Sequence, residues 1–231
     1  MDFVFPFLFE CIWKKIALHS FLELSFTQIE LIRSTLEKLS RISGVFNSFD
    51  AIVIRPKSEH NPQTDWQNFN GRAWIAQKCI WLYPEALQNI PHRISTVSNL
   101  EWTIIHEFWH GLINNNNKLR REWNNAVGWR QGNLDSQRNR GYWTGEHLEK
   151  PEWALNDYAR SLPEEDFCDS FVAYNVGYKE LEDQRNAFLK DQFPLWKPTS
   201  INQSEQNAST TFWIPRVIPY SVRRSNPIQF L

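Results

Sequence analysis

His106-Glu107-Phe108-Trp109-His110 places two imidazoles four residues apart with a carboxylate between them. On an α-helix, residues four apart stand one above the other, so both rings face the same way and the glutamate projects beside them. The flanks agree with a helix. Ser98-Asn99-Leu100-Glu101 has the pattern of a capping box immediately upstream. Leu100, Ile104, Phe108 and Leu112 then repeat at helical spacing and define an apolar face, while His106 and His110 fall on another. The pentapeptide is therefore predicted in mid-helix, where two histidines can share one metal ion and Glu107 can reach a water on it.

A catalytic zinc usually takes three protein ligands and keeps a fourth position for water, so a third ligand is needed. The extended pattern with a histidine six residues after His110 fails, because position 113 is Ile and position 116 is Asn. His147 lies in a Gly-flanked stretch and reads as a solvated surface histidine. The acidic run Pro163-Glu164-Glu165-Asp166 offers better candidates, on a second helix predicted to open after an N-cap at Ser161. With that cap, Glu164 takes the third helical position and closes a capping box, and Pro163 sits in the first turn at no cost. Asp166 is explained by the helix dipole. Glu165 and Asp169 are four apart on one face, away from Phe167 and Phe171. This assigns Glu165 to zinc and Asp169 to the orientation of a histidine ligand.

His-Glu-Phe-x-His, then Tyr158 seven residues before Glu165, then Glu165-x-Phe167-x-Asp169-x-Phe171, resembles the gluzincin peptidases related to the anthrax lethal factor catalytic domain. The resemblance covers roughly residues 24–180 in element order: a helix over 26–41, a strand over 51–55, a hairpin through 73–83, then the two metal helices. It implies His106, His110 and Glu165 as ligands of one Zn2+, Glu107 as general base, and Tyr158 as the hydroxyl that stabilises the transition state. Relatives commonly carry a small residue where this chain has Trp109, so Trp109 is expected to narrow the cleft or shift the helix.

The chain of 231 residues, with a net charge of −1, is long enough for one real core, and that charge disfavours nucleic acid or an anionic membrane as partner. The partner expected is a peptide or protein substrate. Cys11, Cys79 and Cys168 are too few and too scattered for a disulfide framework or a Cys-rich metal site, which fits a reducing compartment. The apolar start at residues 1–9 carries Asp2 and no basic region, so it reads as a strand or docking segment rather than a signal peptide. With no membrane-spanning stretch either, a cytoplasmic location is expected, with secretion by a non-classical route left open.

Residues 58–70 read as a connection, and the asparagine run at 114–118 ends the first metal helix. Between the metal helices, residues 119–157 carry Trp123, Trp129, Trp143 and Trp153. This insertion is either a wall over the cleft or a small satellite core. An amphipathic helix is expected over 178–190. The expected fold is α+β and zincin-like: a small twisted mixed sheet packed on the helix of His106 and His110, with a mainly helical C-terminal half. A domain over 1–195 is followed by an extended tail, 196–231, packed on or near it. A substrate peptide would lie along a sheet edge, provisionally near residues 79–83. The expected activity is zinc-dependent hydrolysis of peptide bonds by an endopeptidase. The competing expectation is an inactive zincin-like module that grips a protein partner through the tryptophan-rich insertion.

Overall fold

The computed structural model describes residues 5–10, 15–40, 42, 44–60, 69–88, 97–135, 140–144, 155–156, 158–175 and 181–193, with only the backbone for 5–10, 131–135 and 140–144. Its frame is a five-stranded mixed sheet in the order β1-β2-β3-β5-β4. The strands are β1 (Phe5–Glu10), β2 (Lys15–Ser20), β3 (Ala51–Ile54), β4 (Gly71–Trp74) and β5 (Cys79–Leu82). β2, β3 and β5 run parallel, with β1 antiparallel to β2 at one end and β4 antiparallel to β5 at the other. The described part of the apolar start, from Phe5 on, is thus a strand, one of the two forms expected of it. β2 was not expected from the sequence, although Ile16, Leu18 and Ser20 alternate as a half-buried strand requires.

Parallel strands need a crossover, and α1 (Phe26–Leu39) supplies it between β2 and β3. Ser25 accepts from Gln28 N–H and the Gln28 side chain returns to the Ser25 backbone, a complete capping box. The helix stops two residues short of the expected end, where the Ser40 N–H closes the last turn on the Leu36 carbonyl. Ile32 and Leu36 of α1 join Ile52, Ile54, Ile80 and Leu82 of the sheet in one core.

α2 (Asn99–Asn115) runs through the middle of that core. Every residue from Asn99 to Trp109 is buried, so the helix is enclosed on all sides rather than presenting one apolar stripe. Ser98 accepts from Glu101 N–H at 3.1 Å as expected of its cap. Glu101, however, reaches Lys38 Nζ at 2.7 Å instead of returning to the cap. Gly111 allows a close crossing, since a Cβ there would stand 2.4 Å from Phe49 Cε2.

The asparagine run does not open into a long loop. Asn116 ends α2 and accepts from Leu119 N–H at 3.0 Å as the cap of α3 (Asn117–Val127). After α3 the chain forms the hairpin β6 (Arg130–Asp135) and β7 (Arg140–Thr144). Trp123 and Trp129 are buried in the main core. Two of the four tryptophans expected in a wall over the cleft or a satellite core therefore pack in the main core instead, and the side chains of Trp143 and Trp153 lie outside the description.

α4 (Pro163–Asn175) packs along α2, and α5 (Asp183–Gln192) follows. α5 packs on the core through buried Leu189, as an amphipathic helix does, and also through a buried charge. Its Arg185 is buried and forms a two-point ion pair with buried Asp166, at 3.0 and 2.9 Å, while Trp129 Nε1 donates to the same carboxylate at 2.9 Å. Asp166 is therefore an internal tie between α4, α5 and the end of α3, not a dipole residue. The expected tail, 196–231, lies outside the described residues. Among the described residues no helix is long and apolar enough to cross a membrane.

Candidate functional site

α2 and α4 bring three donor atoms to one point. His106 Nε2 is 3.1 Å from His110 Nε2 and 3.0 Å from Glu165 Oε2, and His110 Nε2 is 3.2 Å from the same oxygen. The two histidines meet because α2 stacks them one turn apart, and Glu165 meets them because α4 lies alongside. Donors sharing a tetrahedral metal with bonds of about 2.0–2.1 Å stand about 3.3–3.4 Å apart. The triangle matches one face of such a tetrahedron, and two imidazoles with a carboxylate form a hard–borderline set suited to zinc. The residues present therefore fit the metal that the motif implies.

The expected orienting contact is also in place. Asp169 Oδ1 is 2.8 Å from His106 Nδ1, turning the opposite ring nitrogen toward Glu165. Trp102 Nε1 donates to the same oxygen at 3.0 Å, and Asn156 Nδ2 donates to Oδ2 at 2.7 Å. Trp102 was legible in principle, because 102, 106 and 110 share one helical row.

Electrostatics follow from burial and pairing. Burial works against charge on His106 and His110, yet Asp169 and Glu165 outweigh it for His106 and Glu165 does so for His110, raising both. For Glu165, burial favours the neutral acid, but the two histidines overcome it and hold the carboxylate far below its usual range. Asp169 is likewise lowered, mainly by His106 against its burial. Glu107 moves the other way. Burial raises it, only partly offset by the two histidines and by the Ala73 N–H that donates to it. A carboxylate raised toward neutrality is better matched to taking and returning a proton.

Tyr158 stands at the rim, with its ring 6.1 Å from that of His106 and its hydroxyl donating to Glu165. Burial first, then Glu165, Glu107 and Asp169, keep the phenol protonated. The six expected site residues, His106, Glu107, His110, Tyr158, Glu165 and Asp169, are thus brought together.

Three local readings differ from expectation. α4 opens at Pro163, so Glu164 is its second residue, not its third, and it faces Arg120 Nη1 at 3.7 Å. Trp109 does not enter the cleft. It is fully buried between α2 and α4, with ring centroids 3.4 Å from Phe171 and 5.8 Å from Phe167. Residues 79–83 are not an edge, because β5 is enclosed by β3 and β4, and the edge beside the site is β4. His147 lies outside the described residues.

Gly71 and Cys168 were not foreseen. A Cβ at position 71 would meet Glu107 Cγ and Oε1 at 2.8 Å and Thr103 Cγ2 at 2.6 Å, so only glycine lets β4 press on Glu107. Cys168 Sγ and one ring nitrogen each of His106 and His110 lie within 4.8 Å of one another. That outer limit is wider than donors of one metal require, and burial keeps the thiol protonated. Glu165 completes the triangle more closely than Cys168 does.

Scans against protein-family models, curated proteins and solved structures give no match for this chain. The functional reading therefore rests on the site itself.

Proposed function

We propose that the protein is a zinc-dependent peptidase whose metal is held by His106, His110 and Glu165. One observation carries the reading: three donor atoms 3.0–3.2 Å apart lie beside a base, Glu107, against which β4, the end strand of the sheet among the described residues, is packed. When bound there, zinc lowers the pKa of a coordinated water to about 7 and polarises the substrate carbonyl.

The chain's own residues supply the rest. In an antiparallel ladder, residues alternate between bonding to the neighbour and facing away from it. The Tyr83 N–H bonds the Asn70 carbonyl at 2.9 Å, so Asn70 and Arg72 face β5 and Gly71 and Ala73 face outward from it. An extended peptide adds there as a further strand, its scissile bond carried past Glu107. Glu107 accepts the proton of the attacking water and passes it to the leaving amine. The Tyr158 hydroxyl, kept protonated, leaves Glu165 to donate to the oxygen on which negative charge develops. Asp169 fixes the tautomer and direction of His106.

The test is cleavage of an unbiased peptide library by the wild type beside Glu107→Gln. Zinc content should be unchanged in the variant and cleavage lost, because the base is not a ligand. A Glu107→Gln protein that cleaves at near the wild-type rate overturns the mechanism.

A further inference from the structure

Asn156 joins two parts of the site that lie on different segments. Its Nδ2 donates to Asp169 Oδ2 at 2.7 Å, and its Oδ1 accepts from the Ala159 N–H at 2.8 Å. Asp169 holds His106 Nδ1 at 2.8 Å. Ala159 follows Tyr158 in the chain, in a turn closed by the Ser161 N–H on the Tyr158 carbonyl at 3.0 Å. One side chain therefore spans from the carboxylate that orients His106 to the turn that carries Tyr158.

The chemistry of the position requires an amide. A donor is needed toward a carboxylate and an acceptor toward a backbone N–H, on one short side chain. Aspartate has no donor when ionised. A flipped amide would set oxygen against oxygen and N–H against N–H, so only one orientation of Asn156 satisfies both contacts. Through the Ala159 N–H, three residues on, Asn156 also caps the turn that follows, which pins the backbone next to the tyrosine.

We infer that Asn156 is a positioning residue that couples the orientation of His106 to the placement of the Tyr158 hydroxyl. This rests on the peptidase reading, from which Tyr158 takes its role. A misplacement of about 1 Å in a reacting group costs roughly 100-fold in rate, and loss of an outer-shell partner costs about 10- to 100-fold in metal affinity. Removing Asn156 should therefore act on both constants at once.

The experiment uses the full chain and two double-mutant cycles on Asn156→Leu, which keeps the shape and removes both polar atoms. Zinc affinity is measured by chelator competition, and turnover at saturating zinc on the peptide that the library selects. Zinc affinity should fall about 10- to 100-fold, and adding Asn156→Leu to Asp169→Asn should cost little more. Turnover should fall about 100-fold with KM nearly unchanged, and adding Asn156→Leu to Tyr158→Phe should cost nothing further. Independent effects in both cycles, or a lowered Tm with both constants intact, overturn the inference. If Asn156→Leu does not fold, Asn156→Ser is carried through the same cycles. A wild type that holds zinc but cleaves no peptide removes the peptidase reading, and with it the role given to Tyr158. A wild type that cleaves while the cycles are additive removes the coupling alone.

Discussion

Gly71→Ala is the substitution that most directly probes how β4 is set against the base. The added Cβ would stand 2.6 Å from Thr103 Cγ2 and 2.8 Å from Glu107 Cγ and Oε1, against an ordinary contact of 3.4 Å or more. Neither neighbour yields easily. Thr103 is locked by its hydroxyl on the Asn99 carbonyl at 2.8 Å, and Glu107 is held by the Ala73 N–H. The strand must then withdraw by roughly 0.6–0.8 Å, the shortfall between those distances and ordinary contact. Overpacking of this kind costs about 1–3 kcal/mol. For a chain of this size that lowers Tm by about 2–12 °C. Zinc should be retained, because its proposed ligands lie on α2 and α4 and none on β4. Turnover should drop by up to about 100-fold as the peptide edge moves off the base. Thermal denaturation with zinc present, metal analysis and peptide cleavage together test this. A Gly71→Ala protein with wild-type Tm and wild-type turnover would refute the close approach of β4 to Glu107.

Glu165→Ala should lose zinc, whereas Glu164→Ala should keep it and cost at most a surface ion pair of about 1 kcal/mol or less; metal analysis of the two variants exposes any error of register. Tyr158→Phe should keep zinc and fold while kcat falls about 100- to 1000-fold with KM little changed. A loss confined to KM would make Tyr158 a binding residue. Zinc uptake near neutral pH should release protons, fewer as pH rises through the raised histidine values. Calorimetry in buffers of different ionisation enthalpy counts them, and uptake without proton release would contradict the charge argument below.

The sequence carried the site further than the fold. Spacing four along one helix made the pairs His106/His110 and Glu165/Asp169 legible, because a helix converts that spacing into shared direction without help from the rest of the chain. Adjacency between elements is not local. Which strand forms the edge beside Glu107 depends on β5 pairing with β3 across the intervening residues 55–78, β4 among them, so the choice between 71–74 and 79–83 was open in the sequence. Asp166 misled for the same reason. Its partner Arg185 is nineteen residues away on a helix whose composition reads as solvated. Trp109 was expected to narrow the cleft or shift the helix because relatives commonly carry a small residue at that position. Its enclosure on all sides, by Phe167 and Phe171 among others, appears only once α4 is packed against it.

The same enclosure explains why a cation is proposed for the site. Glu107, Glu165 and Asp169 are buried beside two imidazoles, and ions moved out of water cost several kcal/mol each unless matched. With both histidines neutral, three ionised carboxylates would leave a charge of −3 in the core. Two protons on the histidines reduce it to −1, and this is what raises His106 and His110 in the metal-free protein. One divalent cation with neutral histidines gives the same −1, so two protons and one zinc are electrostatically interchangeable. The sign of the pH dependence follows. In the metal-free protein, the raised histidines contribute stability that is fully present below about 6.5, their unfolded value, and lost as pH rises through their folded values. The lowered Glu165 and Asp169 contribute stability present above their ordinary carboxylate range and lost as pH falls through their folded values. Zinc should therefore add most stability on the alkaline side, where the protons it replaces have left. Denaturation with and without chelator across that range checks this, since curves that stay parallel would mean that the histidines and the metal do not compete for one place.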